Sequence, residues 1–194
     1  MPSTPGPAGS PKRSRARQES LDYPEEVQPA TRSTLPLATV ITVSDRSAAG
    51  TRVDTSGPLA AQRLADAGFV VTTTTVPDGA GPVHAALVAA LEAGARLVLT
   101  TCGTGVGPRD ATPEGTADLL TRALPGVAEA LRRSGAEHTA AAVLSRGLAG
   151  IADGAHGSSF VVNLPGSPAG VDQGLDVLLP LVGHVLSQLD GGDH

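Results

Sequence analysis

Four short apolar or β-branched runs mark the chain from residue 37 onwards. Leu37–Val43, Leu97–Thr101 and Ser159–Leu164 are apolar over most of their length, and Phe69–Val76 is rich in valine and threonine. Runs of this length and composition are typical of β-strands, and continuous apolar runs are typical of strands buried on both faces of a parallel sheet. We therefore predict four strands.

Segments with helical hydrophobic spacing separate these strands. A serine or threonine shortly before a proline predicts where some helices begin, with Ser56, Thr112 and Ser167 as expected N-caps. Strands that alternate with helices predict an α/β fold with a mostly parallel sheet. The predicted helices run from Ser56 to Gly68, Pro82 to Gly94, Pro113 to Pro125, Val127 to Ser134 and Pro168 to Leu189, and a glycine-rich turn region is expected from Gly150 to Ser158.

Residues 1–36 differ in composition from the rest of the chain. They contain seven prolines and few apolar residues, so they cannot bury enough apolar surface to offset the entropy of ordering. We predict a disordered tail over residues 1–36 and one domain over residues 37–190. The basic cluster from Lys12 to Arg17 could touch an acidic partner, but a solvated tail is the expectation.

Composition narrows the class of protein. The net charge is −5, and because residues 1–36 hold five basic and four acidic residues, the remainder carries −6, which argues against general nucleic-acid binding. Lys12 is the only lysine in the sequence, which excludes a Walker A phosphate loop. A single cysteine, Cys102, excludes an intrachain disulfide. No apolar run approaches the roughly 20 residues of a membrane span, and no apolar segment near the N-terminus suggests a signal peptide. We therefore expect a soluble, cytoplasmic protein that does not bind membranes.

A glycine-rich loop follows the third predicted strand along the chain and leads into a helix. Gly103, Gly105 and Gly107 lie in this loop. Small residues let backbone N–H groups approach a phosphate, and a helix N-terminus favours negative charge, so we predict an anion site. Arg109 adds a guanidinium that can grip an oxyanion. Pro108 stands where the dinucleotide-binding fingerprint has its final glycine, which argues against that motif.

Two aspartates follow two different predicted strands. Asp78 comes after Phe69–Val76, and Asp110 lies in the glycine-rich loop. Carboxylates at neighbouring strand ends could share Mg²⁺ and bring it to a polyphosphate. Each residue also has a structural alternative, because Asp78 could serve a Pro-Asp-Gly turn and Asp110 could cap the following helix. The residues alone leave both interpretations open.

Polar residues cluster in the segments that follow the predicted strands, where open parallel sheets bind ligands. We expect these segments to converge on one face, where Arg46, Arg109 and Arg146 could clamp an anionic substrate. The sequence lacks a G-x-S-x-G element, which argues against an acyl-transfer triad built on Ser44 or Ser145. The five histidines show no metal-ligand spacing.

Several motifs resemble those of the MogA/MoaB family of molybdenum cofactor biosynthesis proteins, which includes the gephyrin G domain and its plant counterpart. Thr100–Gly105 (TTCGTG) and Arg109–Glu114 (RDATPE) are similar to the family signature TTGGTG…RDxTPE. Ser44–Arg46 (SDR), Leu144–Arg146 (LSR) and Asn163–Pro168 (NLPGSP) match further family motifs in the same order. The SDR motif is followed, as in the family, by Gly50, Asp54 and Gly57.

The resemblance implies a doubly wound α/β domain, usually trimeric, that adenylylates molybdopterin. In that reaction the phosphate of molybdopterin attacks the α-phosphorus of Mg²⁺-bound ATP, and pyrophosphate is released. A homotrimer or hexamer and a molybdenum-insertion partner protein are implied as well. Asp78 and Asp110 match the two aspartates that matter for activity, which implies that both are catalytic and hold Mg²⁺. The substrate-binding residues implied by the motifs are Ser44, Asp45, Arg46, Thr101, Gly103, Thr104, Gly105, Arg109, Ser145, Arg146, Asn163, Pro165, Gly166 and Ser167.

Cys102 departs from the family pattern, which has glycine at this position. If that glycine used a positive φ, cysteine would cost on the order of 1 kcal/mol or more. We expect instead that the position is still strand-like, where cysteine is harmless. The alternatives to an adenylyltransferase are a non-catalytic MoaB-type protein that binds a pterin, an amidohydrolase of the CinA type with the same fold, and a dinucleotide-dependent oxidoreductase.

Overall fold

A computed structural model describes Met1, Ser3 and residues 35–192 of the chain. The chain divides into two units, residues 1–33 and 34–194, and all that follows concerns the second unit. The disordered tail expected over residues 1–36 lies almost entirely outside the described residues and stays a prediction. No helix among the described residues has both the length and the hydropathy of a membrane span.

The described part of the second unit contains one six-stranded sheet, in the order β2-β1-β3-β6-β5-β4. Strands β1, β2, β3 and β6 are parallel to one another, whereas β5 and β4 continue the sheet as antiparallel strands. This confirms the predicted α/β fold with a mostly parallel sheet. The strands are β1 Leu37–Val43, β2 Val70–Val76, β3 Leu97–Thr101, β4 Arg122–Ala123, β5 Ala149–Gly154 and β6 Gly157–Leu164.

Helices cover both faces of the sheet, as a doubly wound fold requires. Ala60 of α2, Ala128 of α5 and Val171 of α6 belong to one core cluster, and Val83 and Leu87 of α3 belong to the other. The helices are α1 Asp45–Ala48, α2 Ser56–Asp66, α3 Ala80–Glu92, α4 Thr112–Ala117, α5 Pro125–Ala136 and α6 Pro168–Leu189, with a 3₁₀ helix over Ala140–Leu144.

Small aliphatic side chains fill the core on either side of the central strands. Along β1, Val40 faces the first cluster and its neighbour Ile41 faces the second, and both are fully buried. The alternation follows from the pleat of a strand, which directs successive side chains to opposite faces. Phe160 of β6 is the one buried aromatic side chain among the described residues.

The glycine-rich turn region predicted over Gly150–Ser158 is wrong. These residues form most of a hairpin, in which β5 pairs with the start of β6 and with the short strand β4. Gly150 is required by close packing, because a Cβ there would lie 2.6 Å from the carbonyl oxygen of Arg122. The helix predicted from Pro113 to Pro125 is also shorter than expected, because α4 ends at Ala117 and the chain then enters β4.

Of the three predicted N-caps, one is confirmed. Ser167 Oγ accepts a hydrogen bond from the Gly170 N–H at 3.1 Å, as an N-cap does. Ser56 is instead the first residue of α2, and Asp54 Oδ1 accepts the N–H groups of Ser56 and Gly57. The prediction for Thr112 is wrong as well, because it is the first residue of α4 and its hydroxyl donates to the loop before it.

Candidate functional site

The polar segments that follow the parallel strands meet at one edge of the sheet. Thr42 of β1 pairs with Thr75 of β2 and Thr101 of β3, and Thr101 pairs with Leu164 of β6. The four strands therefore end at the same level. Open parallel sheets bind their ligands beyond this edge, so the expected convergence of the loops follows from the register.

The glycine-rich loop after β3 opens with two residues in the left-handed region. Cys102 has φ of 76° and Gly103 has φ of 65°. The expectation that Cys102 is strand-like is therefore wrong, although its N–H still donates to the Leu164 carbonyl of β6 at 3.2 Å. The left-handed region costs a non-glycine residue roughly 1–2 kcal/mol, so Cys102 holds strain at the edge of the site.

Thr112 closes this loop from the other side. Its hydroxyl donates to the Cys102 carbonyl at 3.0 Å, and its N–H donates to the Gly103 carbonyl at 3.1 Å. A Cβ on Gly103 would lie only 2.3 Å from the Thr112 hydroxyl oxygen. Gly103 is thus fixed by the contact with Thr112 as well as by its φ.

The carboxylate of Asp110 folds back onto its own loop. Asp110 Oδ2 accepts the Gly107 N–H at 2.9 Å. A Cβ on Gly105 or Gly107 would lie 2.7 or 2.8 Å from this oxygen, respectively. Glycine at these two positions therefore makes room for the Asp110 carboxylate, whereas the sequence suggested only an approach to phosphate. The other oxygen, Oδ1, has no hydrogen-bond partner among residues 35–192 and can face a ligand.

Arg146 clamps the same loop from the LSR segment. Its Nε donates to the Gly105 carbonyl at 2.7 Å, and its Nη2 donates to the Asp110 carbonyl. The guanidinium also pairs with Glu114, and this contact lowers the pKa of Glu114 below its ordinary value. The backbone N–H of Arg146 donates to the Thr104 carbonyl at 2.8 Å. With these partners, Arg146 shapes the loop.

Asp45 links two loops at the sheet edge. Its Oδ2 lies 2.8 Å from Arg109 Nη1, and its Oδ1 accepts the Asp78 N–H at 3.0 Å. The Asp45 carboxylate therefore holds the turn that carries Asp78 and the loop that carries Arg109. Ser44 caps α1 by accepting the Ser47 N–H, so its hydroxyl oxygen is engaged within the loop.

Asp78 lies half-buried in the turn after β2. Burial raises the pKa of the Cys102 thiol most strongly, and the negative charges of Asp54 and Asp78 raise it further, whereas the Thr101 hydroxyl and Arg52 lower it. The charge of Asp78 therefore contributes to the raised pKa of the Cys102 thiol. Its carboxylate oxygens have no hydrogen-bond partner among the described residues.

The NLPGSP segment, which follows β6, contacts the glycine-rich loop at Cys102. A Cβ on Gly166 would lie 2.5 Å from Cys102 Sγ, so this glycine lets the two loops touch. The Gly166 carbonyl accepts the buried Ser56 hydroxyl at 2.8 Å, which ties the segment to the start of α2. Thr101 Oγ1 is buried and has no hydrogen-bond partner of good geometry among the described residues; its polar neighbour is the Cys102 thiol, whose pKa it lowers.

A cavity of about 450 Å³ opens between the glycine-rich loop, the LSR segment, the NLPGSP segment and helices α5 and α6. Its walls are mostly apolar, with Leu131 and Ala142 among the residues that contribute. Such a cavity suits a flat heterocycle whose polar atoms meet a few polar side chains. Six of the predicted substrate-binding residues line it: Thr104, Gly105, Ser145, Asn163, Pro165 and Ser167.

Asn163 lines the cavity, but its side chain bonds within the protein. Its Oδ1 accepts the Leu148 N–H at 3.1 Å, and its Nδ2 donates to the hydroxyls of Thr100 and Thr116 at 2.9 and 3.0 Å. Asn163 is only 3% exposed, so these bonds offset the cost of burying an amide. These hydrogen bonds allow Asn163 to hold the wall of the cavity in place.

The remaining predicted site residues lie outside the cavity lining. Arg46 is exposed and its guanidinium has no hydrogen-bond partner in the described part of the chain, whereas its carbonyl accepts from Thr51. Sequence reasoning did not single out four polar residues that line the cavity: Arg132, His138, Thr139 and Gln173. They lie in or after helices α5 and α6, outside the strand-end motifs. Arg132 and Arg133 look like an ordinary solvated helix face, so no pattern marked them.

Two carboxylates are available for a metal. Among the described residues no group of three or more histidine, cysteine, aspartate or glutamate side chains could hold a metal ion by itself. Asp78 and Oδ1 of Asp110 offer hard oxygen atoms that have no hydrogen-bond partner within residues 35–192. Mg²⁺ is commonly bound by one or two carboxylates with substrate phosphates and water, so this donor set fits Mg²⁺.

The fold and the site place the protein among doubly wound α/β domains whose polar loops collect at the carboxyl edge of the sheet. The chain belongs to the family described as "Probable molybdopterin binding domain", whose model matches residues 39–184. This match confirms the resemblance to the MogA/MoaB family.

Relatives and solved structures agree with the family. A "Molybdenum cofactor biosynthesis bifunctional protein" of Synechococcus elongatus is 48% identical over 158 residues, which cover 81% of this chain and 48% of that protein. The chain thus spans about half the length of this curated relative. A "Molybdopterin adenylyltransferase" of Pyrococcus furiosus is 40% identical over 148 residues, or 76% of this chain and 87% of that protein. The molybdopterin biosynthesis Mog protein from Mycobacterium ulcerans is 43% identical, with a TM-score of 0.74 over 79% of this chain and 99% of its own.

Proposed function

We propose that this protein is a nucleotidyltransferase of molybdenum cofactor biosynthesis that adenylylates molybdopterin with Mg²⁺-bound ATP. The observation that carries the proposal is the meeting of the Asp78 turn and the Asp110 loop at the carboxyl edge of the sheet. Asp45 joins the two by accepting the Asp78 N–H and pairing with Arg109. Relatives named molybdopterin adenylyltransferase, such as the one from Pyrococcus furiosus, support this reaction class.

In the proposed reaction a phosphate oxygen of molybdopterin attacks the α-phosphorus of ATP. The new oxygen–phosphorus bond forms as the bond from the α-phosphorus to the bridging oxygen of the β-phosphate breaks, and pyrophosphate leaves with that electron pair. The protein forms no covalent bond to either substrate. Positioning and charge stabilisation are sufficient for this type of transfer.

Asp78 and Asp110 would hold Mg²⁺, which neutralises charge on the phosphates of ATP. Asp110 is held in one orientation by the Gly107 N–H, and Asp78 is held through the Asp45 contact to its backbone. Both carboxylates are thus positioned before substrate binds, which limits the cost of assembling the site. The Arg109 side chain is 74% exposed and pairs with Asp45 through Nη1, so its other guanidinium donors can meet an incoming phosphate while the pair is kept.

The cavity of about 450 Å³ would hold the heterocyclic part of a substrate. Its apolar walls remove a ring from water, while Thr104, Ser145 and Ser167 can meet the polar atoms of that ring. No phenylalanine, tyrosine or tryptophan is among the described residues that line the cavity, so binding relies mainly on shape and hydrogen bonds, with the imidazole of His138 as the one ring in the lining that could stack.

We also propose that the protein acts in the cytoplasm as a homotrimer or hexamer and passes its product to a molybdenum-insertion partner protein. The family resemblance supports this assembly. Light scattering coupled to size exclusion should give a mass three or six times the chain mass of 19.3 kDa. A monomer at micromolar concentration would contradict the proposed assembly but not the proposed reaction.

The second candidate is a family member that binds a pterin without catalysis. One observation favours it: Cys102, where the family has glycine, adopts φ of 76° and packs against Gly166. The Cys102→Gly variant separates the two candidates. If Cys102 only reduces catalysis, the variant should turn over faster than wild type, whereas Cys102→Ser, which keeps the Cβ, should not.

The direct experiment incubates purified protein with molybdopterin, ATP and Mg²⁺. Adenylyl-molybdopterin and pyrophosphate should form, and Asp78→Asn and Asp110→Asn should each abolish them. Asparagine keeps the size of the side chain and can still accept the Gly107 N–H, so the Asp110 variant should fold. Asp153→Asn, at the opposite edge of the sheet, is the matched control and should retain activity. Absence of product from wild type, with pterin binding preserved, would favour the non-catalytic candidate.

A further inference from the structure

We propose that Arg132 binds a phosphate group of the ligand that occupies the cavity of about 450 Å³. The inference rests on the proposed function for the kind of ligand, since both molybdopterin and ATP carry phosphate. It goes beyond that function because Arg132 lies in α5, outside every motif that the sequence analysis used. It also assigns the role of anion ligand to a residue other than the arginines predicted for it.

Among the described residues that line the cavity, Arg132 is the only one with a full charge. The other polar residues of this lining are neutral hydroxyls and amides, together with His138, and none of the described lining residues is a carboxylate. The sequence as a whole carries a net charge of −5. The described lining of the cavity is therefore positively charged although the protein as a whole is negatively charged, and a positive lining favours an anionic ligand.

The partners of Arg132 leave most of its guanidinium available. Its Nη1 lies 3.4 Å from the Ser145 carbonyl oxygen and 3.5 Å from the Gly147 carbonyl oxygen, which are long contacts. Its Nη2 and Nε have no hydrogen-bond partner among residues 35–192. Nη2 and Nε are the pair of donors that a phosphate accepts in a bidentate contact.

Of the three arginines that the motifs suggested, two already pair with carboxylates, and the third, Arg46, is exposed and lies outside the cavity lining. Arg109 pairs with Asp45, and Arg146 pairs with Glu114 and with carbonyls of the glycine-rich loop. Arg132 is half-buried and has no carboxylate partner among the described residues. An arginine in such a position has already lost part of its hydration, so a phosphate that reaches it gains more than it would at an exposed arginine.

Arg132 also touches the LSR segment, so a substitution could act by loosening that segment. Ligand pairs that differ only by phosphate separate the two effects. AMP and adenosine form one pair, and a pterin with a phosphorylated side chain and its dephosphorylated form provide the other. A direct contact affects the phosphorylated member alone, whereas a loosened cavity wall affects both members of a pair.

The experiment measures dissociation constants by calorimetry for the folded full-length chain. The variants are Arg132→Met, which keeps an apolar stem, and Arg132→Lys, which keeps the charge. Arg133→Met is the matched control, because Arg133 is the next residue on α5 but pairs with Glu129 on the exposed side of the helix. Thermal unfolding of each variant reports whether the fold is retained.

For Arg132→Met we expect about a 10- to 100-fold loss of affinity for the phosphorylated member of one pair, as for a charge-assisted hydrogen bond. The affinity for its unphosphorylated partner should stay the same, and Arg132→Lys should recover part of the loss. The pair that responds identifies whether the phosphate belongs to the nucleotide or to the pterin. Equal losses for both members of each pair, or no loss, would overturn the inference.

The outcome is independent of the turnover assay. If wild type forms no adenylyl product but Arg132→Met still loses only phosphate-dependent affinity, the proposed function fails and the inference stands. If product forms while the phosphate-dependent part of the affinity is the same in wild type and Arg132→Met, the inference fails and the proposed function stands.

Discussion

Arg109 and Asp45 form an ion pair between two separate loops, with Arg109 Nη1 2.8 Å from Asp45 Oδ2. Because the second oxygen of Asp45 accepts the Asp78 N–H, the same carboxylate orients the turn that carries a proposed catalytic residue. Exposed ion pairs add little to stability, typically less than about 1 kcal/mol. The pair therefore matters because it helps to position Asp78, and it contributes little to the stability of the fold.

Asp45→Asn should lower turnover about 10- to 100-fold, because a displacement of a catalytic group by about 1 Å has effects of that size. The free energy of unfolding should change by less than about 1 kcal/mol. Steady-state kinetics and urea unfolding measure the two quantities. Glu129→Gln, which removes the exposed pair with Arg133 on α5, serves as the control and should affect neither. Normal turnover by Asp45→Asn would show that the contact does not orient Asp78.

Gly105→Ala should impair activity by displacing the Asp110 carboxylate, since the new Cβ would lie 2.7 Å from Oδ2. Overpacking of this kind typically costs roughly 1–3 kcal/mol of stability. Gly126→Ala on α5, where nothing lies within 4 Å of the new Cβ, should be neutral or stabilising. The cost of Gly105→Ala should shrink in an Asp110→Ala background, because the clashing carboxylate is gone. An equal cost in both backgrounds, measured by thermal unfolding, would mean that the strain has another source.

Sequence patterns located the central strands but not the antiparallel end of the sheet. Strands β1, β3 and β6 lie between helices on both faces, so they are apolar over most of their length and easy to recognise. Strand β5, Ala149–Gly154, contains alanines, glycines and an aspartate. Gly150 leaves the space that the carbonyl oxygen of Arg122 needs to pack against the strand. A contact with a strand almost thirty residues away leaves no local signal.

In the candidate site, too, the sequence predicted some features and missed others. The strand-end motifs of the sequence predicted that the Asp78 and Asp110 loops would meet, because parallel strands bring their ends to one edge. The positive φ of Cys102 depends on the Thr112 contact that closes the loop, and the role of Arg132 depends on the packing of α5 against the LSR segment. Both depend on tertiary contacts, which a single sequence does not reveal.

Glu114 should make stability depend on acid pH. Its pKa is held below the ordinary value of about 4.5 by the hydrogen bond from Arg146, so folding favours the charged form. The stabilisation is fully present above the unfolded pKa and is lost as the pH falls through the lower folded-state pKa. Since the Glu114 side chain is 51% exposed, we expect less than about 1 kcal/mol.

Urea unfolding at pH 6 and at about pH 3 measures this contribution. Glu114→Gln should lose less stability than wild type between the two pH values, while Glu92→Gln, at an exposed position without an ion pair among the described residues, should behave as wild type. If Glu114→Gln shows the wild-type loss, the pair with Arg146 does not contribute to the acid sensitivity.

The thiol of Cys102 can report the position of Asp78. Burial and the charges of Asp54 and Asp78 raise the pKa of this thiol, so little of it is thiolate near pH 8 and alkylation by iodoacetamide should be slow. Asp78→Asn removes one of these charges, so the midpoint of the alkylation rate should move to lower pH than in wild type. Asp153→Asn, at the opposite edge of the sheet, should leave the midpoint in place. Because the chain has a single cysteine, mass spectrometry of the intact protein follows the reaction without interference. An unchanged midpoint in Asp78→Asn would mean that the Asp78 carboxylate does not act on the thiol of Cys102.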